Sequence, residues 1–200
     1  MHSDLIVFGE NWGWRPTGAH HLVRHLGTER KVVWVNSPLL HCCENCLHNR
    51  VHPPELADYR PDRILAPLGS HFSVDAATRS DNQQLLGHQI RTAMATLELR
   101  RPILLTSVPT AIDAIGEIDE HAVVYYCDTD FTRMIGIDCC PIVTMEAELA
   151  ARADLIIAAT PELARRFPCH RTVVIDQDEG ADGSWTARAA TVGRLLDKLV

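Results

Sequence analysis

Short apolar blocks alternate with longer amphipathic stretches along most of the chain. The block at 5–8, Leu-Ile-Val-Phe, has the length and composition of a strand buried on both faces. Glycines follow at 9, 13 and 18, and then Leu22, Val23 and Leu26 recur at helical spacing. Further apolar runs at 31–35, 63–66, 102–106, 122–126, 154–158 and 171–175 predict more strands. Helices are predicted between them. One covers 78–99, with Leu85, Leu86, Ile90, Met94 and Leu97 on its buried face. Shorter ones fall at 108–118, 142–152 and 161–167, the last with proline in its first turn. Residues 39–61 and 69–77 lack periodicity and read as loops. The acidic, glycine-bearing stretch 176–183 reads as a linker. Ser184 then reads as the N-cap of a last helix with Trp185, Val192, Leu195, Leu196 and Leu199 on its apolar side.

This rhythm predicts an α/β fold. Residues 1–175 form one Rossmann-like domain, with a mostly parallel sheet of six or seven strands and helices on both faces. The linker at 176–183 leads to a terminal helix at 184–200 that docks on it. Sheets of this kind bind ligands at the carboxyl ends of their strands. The glycine loop at 9–18 lies on that edge and opens a helix, so its backbone N–H groups could approach a phosphate. Its spacing is not the dinucleotide-binding GxGxxG. Asp128 and Asp130 follow the strand at 122–126, on the same edge. Paired carboxylates there suit orienting or deprotonating a hydroxyl; the alternative is that one caps the next turn. Glu146 and Glu148 are two apart on a helix and cannot share a face. Glu146 is the one placed toward the ligand edge and Glu148 the solvated one.

Charge and cysteine content narrow the class. A net charge of −7 argues against general nucleic-acid binding. No apolar run approaches the roughly 20 residues of a membrane span, and the first residues lack the pattern of a signal peptide. Seven cysteines, four of them in the adjacent pairs Cys42–Cys43 and Cys139–Cys140, do not form a disulfide framework. Reduced thiols and a cytoplasmic location, including peripheral placement at the inner membrane face, are the expectation. Cys127, Cys139, Cys140 and Cys169 read as small buried residues. His41, Cys43, Cys46 and His48 are the most metal-like set, with zinc-knuckle spacing between the two cysteines. A second correctly spaced cysteine pair is lacking, so no metal and no cofactor are assigned.

Several segments together resemble a known family. They are Gly-Glu-Asn-Trp-Gly-Trp-Arg-Pro at 9–16 with His-Leu-Val-Arg-His-Leu at 21–26, and Val-Val-Trp-Val-Asn-Ser-Pro at 32–38. Arg-Pro-Ile-Leu-Leu-Thr-Ser-Val-Pro-Thr-Ala at 101–111, Val-Val-Tyr-Tyr-Cys-Asp-Thr-Asp-Phe at 123–131 and the segment 146–164 continue the series. In this order they are similar to the amino-terminal half of bacterial two-domain GT-B glycosyltransferases, retaining enzymes of polysaccharide and teichuronic-acid-like pathways. The resemblance implies sugar transfer from a nucleotide-sugar to a glycan or lipid-linked acceptor. It implies Gly9, Asn11, Gly13 and Gly18 for the loop near the donor diphosphate, and Trp12, Trp14, Arg15 and His21 for its rim. Asp128 and Asp130 become the catalytic candidates. The family's second Rossmann domain, which holds most of the donor, has no counterpart in this sequence, and 184–200 look like the family's closing helix. The expectation is therefore an incomplete or partner-dependent transferase, needing a separate donor-domain subunit or self-association. A non-catalytic acceptor-binding or scaffolding module, and an inactive remnant, are the alternatives.

Overall fold

The computed structural model describes residues 2–13, 16–36, 58–67, 76–133, 140–175 and 182–200. Seven parallel strands form one sheet: β1 Leu5–Gly9, β2 Val32–Asn36, β3 Arg63–Leu65, β4 Ile103–Thr106, β5 Ala122–Cys127, β6 Leu155–Ala158 and β7 Thr172–Val174. Their order across the sheet is β3-β2-β1-β4-β5-β6-β7. Leu5 is in register with Val32 on one side and Ile103 on the other, so β1 is central and every one of its residues is buried. A strand covered on both faces needs no polar alternation, which is why these segments read as continuous apolar runs.

The two faces still divide the side chains with the strand period of two. Ile6, Phe8, Val33, Val35, Leu104, Tyr125 and Ile156 meet the helices α2 Ala76–Leu97 and α3 Cys140–Arg152. Their neighbours Leu5, Val7, Val32, Trp34, Leu105, Val124 and Ile157 meet α1 Gly18–Leu26 and α5 Asp182–Leu196. The short helix α4 Pro161–Ala164 follows β6, with Thr160 as its N-cap accepting from the Leu163 N–H at 3.3 Å.

The terminal helix docks beside α1, as expected. The His21 ring stacks on Trp185 with centroids 4.8 Å apart, and Ala189, Val192 and Leu196 complete the core on that face. At the other end Arg30, almost wholly buried, reaches Asp197 at 2.5 Å and the Ser3 carbonyl at 2.8 Å. His121 meets the Leu199 carbonyl at 2.9 Å.

Some expectations need correction. Leu85 is half exposed, whereas Leu86, Ile90, Met94 and Leu97 do face the core. The buried stripe of α2 runs through 86, 90, 93, 94 and 97, and a residue one step before it is turned about 100° toward solvent. Cys127 is buried, but Cys169 is exposed because it lies in a short 3-10 turn, Cys169–Arg171, outside the layers. The region 108–118 forms a 3-10 run, Pro109–Ala114, rather than an α-helix. The last helix begins two residues before Ser184, at Asp182. Most of the loop at 39–61 and of 69–77 lies outside the described residues. Among the described residues no helix is long and apolar enough to cross a membrane.

The docking of α5 gives a direct stability test. Leu196→Ala removes a fully buried side chain and should cost about 2–5 kcal/mol in urea unfolding. Leu85→Ala should stay within about 0.5 kcal/mol of the parent protein. Equal effects of the two would contradict the packing.

Candidate functional site

The crossovers diverge between β1 and β4. From β1 the chain passes to α1 on one face of the sheet, and from β4 it passes to the Pro109–Ala114 run on the other. A crevice opens at such a switch point, outside the carboxyl ends of the strands. The two strand ends are tied there by the Ser107 N–H, which donates to the Phe8 carbonyl at 3.0 Å. Glu10 follows β1, Ser107 follows β4 and Asp128 follows β5, all at this edge.

Asp128 is the centre of the arrangement. Its carboxylate accepts from the Thr129 hydroxyl at 3.1 Å, with a smaller contribution from the backbone N–H of Gly18, the first residue of α1. Burial nonetheless dominates and pushes its pKa up to about 6. Glu10 is raised to about 7, first by burial and then by the negative charge of Asp128. Its Oε1 is shielded from water and has no hydrogen-bond partner among the described residues. No cation in the described part of the chain pairs with either carboxyl. Glu10 therefore titrates in the field of Asp128.

An aromatic platform supports the loop that carries Glu10. Trp12 packs on His20 at 5.1 Å, edge-on to Trp34 at 4.9 Å and edge-on to Tyr59 at 6.0 Å. Its N–H donates to the Asn36 side chain at 2.8 Å, and the Trp34 indole N–H donates to the Glu10 carbonyl at 3.1 Å. Trp12 is thus held chiefly by packing, with rings from α1 and β2 and the residues beyond them. Gly9 is required by this packing: a Cβ there would lie 2.5 Å from the Trp34 ring. Gly13 has φ +93°, a backbone conformation suited to glycine.

His20 fills the position in α1 where a capping box carries Glu or Gln. Its Nδ1 accepts from the Thr17 N–H at 3.1 Å. That bond requires the neutral ring. Burial first, then the neighbouring His21, lowers the His20 pKa to about 4, against an opposing backbone contact from Asn11. His21 itself stacks on Trp185 of α5.

Asp130 has a different setting from Asp128. Its Oδ1 accepts from the Thr132 N–H at 3.1 Å and hydroxyl at 2.6 Å, closing the turn Phe131–Arg133, and Arg166 lies 3.3 Å away. The Thr132 hydroxyl and the arginine hold its pKa below the usual carboxylate range, which disfavours a role as base. Glu146 is buried, accepts from the Tyr125 hydroxyl at 2.8 Å and pairs with Arg166. Tyr125, Glu146, Arg166 and Asp130 therefore form one chain of contacts behind the turn that follows Asp128. Glu148, on the other side of α3, pairs with Arg79 at 3.0 Å, and Arg79 also holds Asp113 at 2.9 Å.

Of the residues proposed from the sequence, the fold brings Gly9, Asn11, Trp12, Gly13, Gly18 and Asp128 to one edge. Trp14, Arg15 and the set His41, Cys43, Cys46 and His48 lie outside the described residues. Among the described residues no cluster of three or more His, Cys, Asp or Glu could hold a metal. Glu10 was missed, although its position directly after β1 matches that of Asp128 after β5.

The fold is that of a Rossmann-like GT-B half-domain, one layer of parallel sheet between helices. Solved structures with similar chain traces include the UDP-N-acetylglucosamine 2-epimerase of Rickettsia bellii, with a TM-score of 0.55, 11% identity, and 100% of this chain covering 51% of that one. MurG of Acinetobacter baumannii gives 0.51 at 14% identity over 89% of this chain and 47% of its own. HepE of Anabaena, solved with UDP and glucose, gives 0.52 at 11% identity over 88% and 45%. The chain spans about half the length of the structures it matches. No protein-family model and no curated protein matches the sequence.

The raised carboxyl pKa values predict a pH dependence of stability. Both folded-state values exceed the ordinary 4.5 and 3.8, so this contribution is complete at low pH and is lost as pH rises through about 6 and 7. Glu10→Gln removes the charge that would otherwise be forced into the crevice. The variant should unfold at higher urea than the parent at about pH 8, with the gap closing toward about pH 5. A gap independent of pH would contradict the buried pair.

Proposed function

We propose that this domain is the acceptor side of a GT-B-type sugar-transfer site, moving a sugar from a nucleotide-sugar to a glycan or lipid-linked acceptor. The observation that carries the reading is the Glu10–Asp128 pair at the switch-point crevice of a half-domain sheet. Carboxyl groups without cation partners suit the hydroxyls of a sugar better than they suit a diphosphate. Asp128 is the base that orients and deprotonates the acceptor hydroxyl, its pKa kept near the working range by burial. The bound sugar would meet Ser107 from β4. The nucleotide-sugar is the substrate, and no resident cofactor or metal enters the proposal. Transfer needs both reactants held in place, and the donor contacts in this proposal come from a second, donor-binding half such as a partner subunit. In that arrangement α5 is the closing helix.

A binding-only module with the same crevice is the second reading. Ligand-observed NMR with oligosaccharides and with UDP-sugars separates these outcomes. Oligosaccharide binding should weaken about tenfold in Asp128→Asn and in Glu10→Gln, and UDP-sugars alone should bind at roughly millimolar strength or weaker. Micromolar UDP-sugar binding would overturn the division of labour. Sugar binding unaffected by either substitution would overturn the role of the pair. Transfer by the chain mixed with a donor-binding half, rising with pH through about 6, distinguishes the enzyme from the binding module.

A further inference from the structure

A second site lies away from the crevice, on the face of the sheet covered by α3. A groove of about 370 Å³ runs between α3 and the segment after α4. Val143, Ala147, Ala150 and Ala151 form one wall, and Phe167 and Pro168 the other. Two guanidinium groups border it. Arg166 is committed to Glu146 and Asp130. Arg171 has no carboxylate partner among the described residues. Its Nη1 donates to the Ala151 and Ala153 carbonyls at 3.1 and 2.9 Å, at the carboxyl end of α3. Its Nε is shielded from water and has no hydrogen-bond partner there.

A half-buried cation with unused donors, beside an apolar channel, is complementary to one kind of ligand. Carbonyl oxygens satisfy hydrogen bonds but supply no counter-charge. We propose that this groove binds an amphiphilic anion, with its apolar body along the alanine wall of α3 and its phosphate or carboxylate at Arg171. The site is independent of the crevice and of the sugar-transfer reading.

Octyl phosphate and octanoate, titrated calorimetrically below their micelle concentrations, test the proposal, with inorganic phosphate and octanol as the separate halves. At least one of the two amphiphiles should bind saturably at one per chain, and more tightly than either half alone. The tighter of the two identifies the head group. Arg171→Gln should weaken that binding about tenfold or more, the loss expected for a charge-assisted hydrogen bond. Ala147→Phe fills the groove from the exposed side of α3 without touching the charge, and should weaken binding similarly. It decides the matter alone if Arg171→Gln fails to fold by circular dichroism. Absence of saturable binding, or binding that Ala147→Phe leaves unchanged, overturns the proposal, as does inorganic phosphate matching octyl phosphate.

Discussion

Burial governs the carboxyl that follows β5: the Thr129 hydroxyl and, to a smaller extent, the Gly18 N–H at the start of α1 act on Asp128, yet its pKa stays raised. The consequence is electrostatic: a second carboxyl, Glu10, sits in the field of the first, and no cation among the described residues pairs with it.

The other supports of this edge are steric. Trp34 projects from β2 across Gly9, and its indole N–H holds the Glu10 carbonyl, so the residue after β1 cannot drift. Trp12 closes over the same ring, and neutral His20 joins the platform while capping α1. The rigid parts are backbone and aromatic rings, whereas the carboxyls are the part free to change charge. Behind them, Arg166 neutralises the buried Glu146 and anchors Asp130, which fixes the turn from which Asp128 projects.

The fold was readable because strands buried on both faces leave uninterrupted apolar runs and the helices between them keep one apolar stripe. Where that signal was diluted, reading failed: Leu85 belongs by composition to the stripe of α2 but by angle to its solvent side. The candidate site was readable only as far as strand ends could be located. Asp128 stood out because it follows β5, but the distinction between Asp128 and Asp130 depends on which of them meets Gly18 and which meets Thr132. Those contacts join segments more than a hundred residues apart in one case and two residues apart in the other. Glu10 was hidden among glycines and tryptophans that drew the eye to phosphate and sugar stacking. At Gly9 the structure adds a steric reason for glycine that the sequence does not show, the ring of Trp34.

The central claim is that Glu10 and Asp128 form one half-buried carboxyl pair with no cation partner among the described residues. Carbon-detected NMR of the side-chain carboxyls across a pH titration measures it directly. The account predicts transitions near 7 for Glu10 and near 6 for Asp128, with the Glu10 transition falling when Asp128 is replaced by Asn. Two independent transitions at the ordinary 4.5 and 3.8 would show two solvated carboxylates and contradict it.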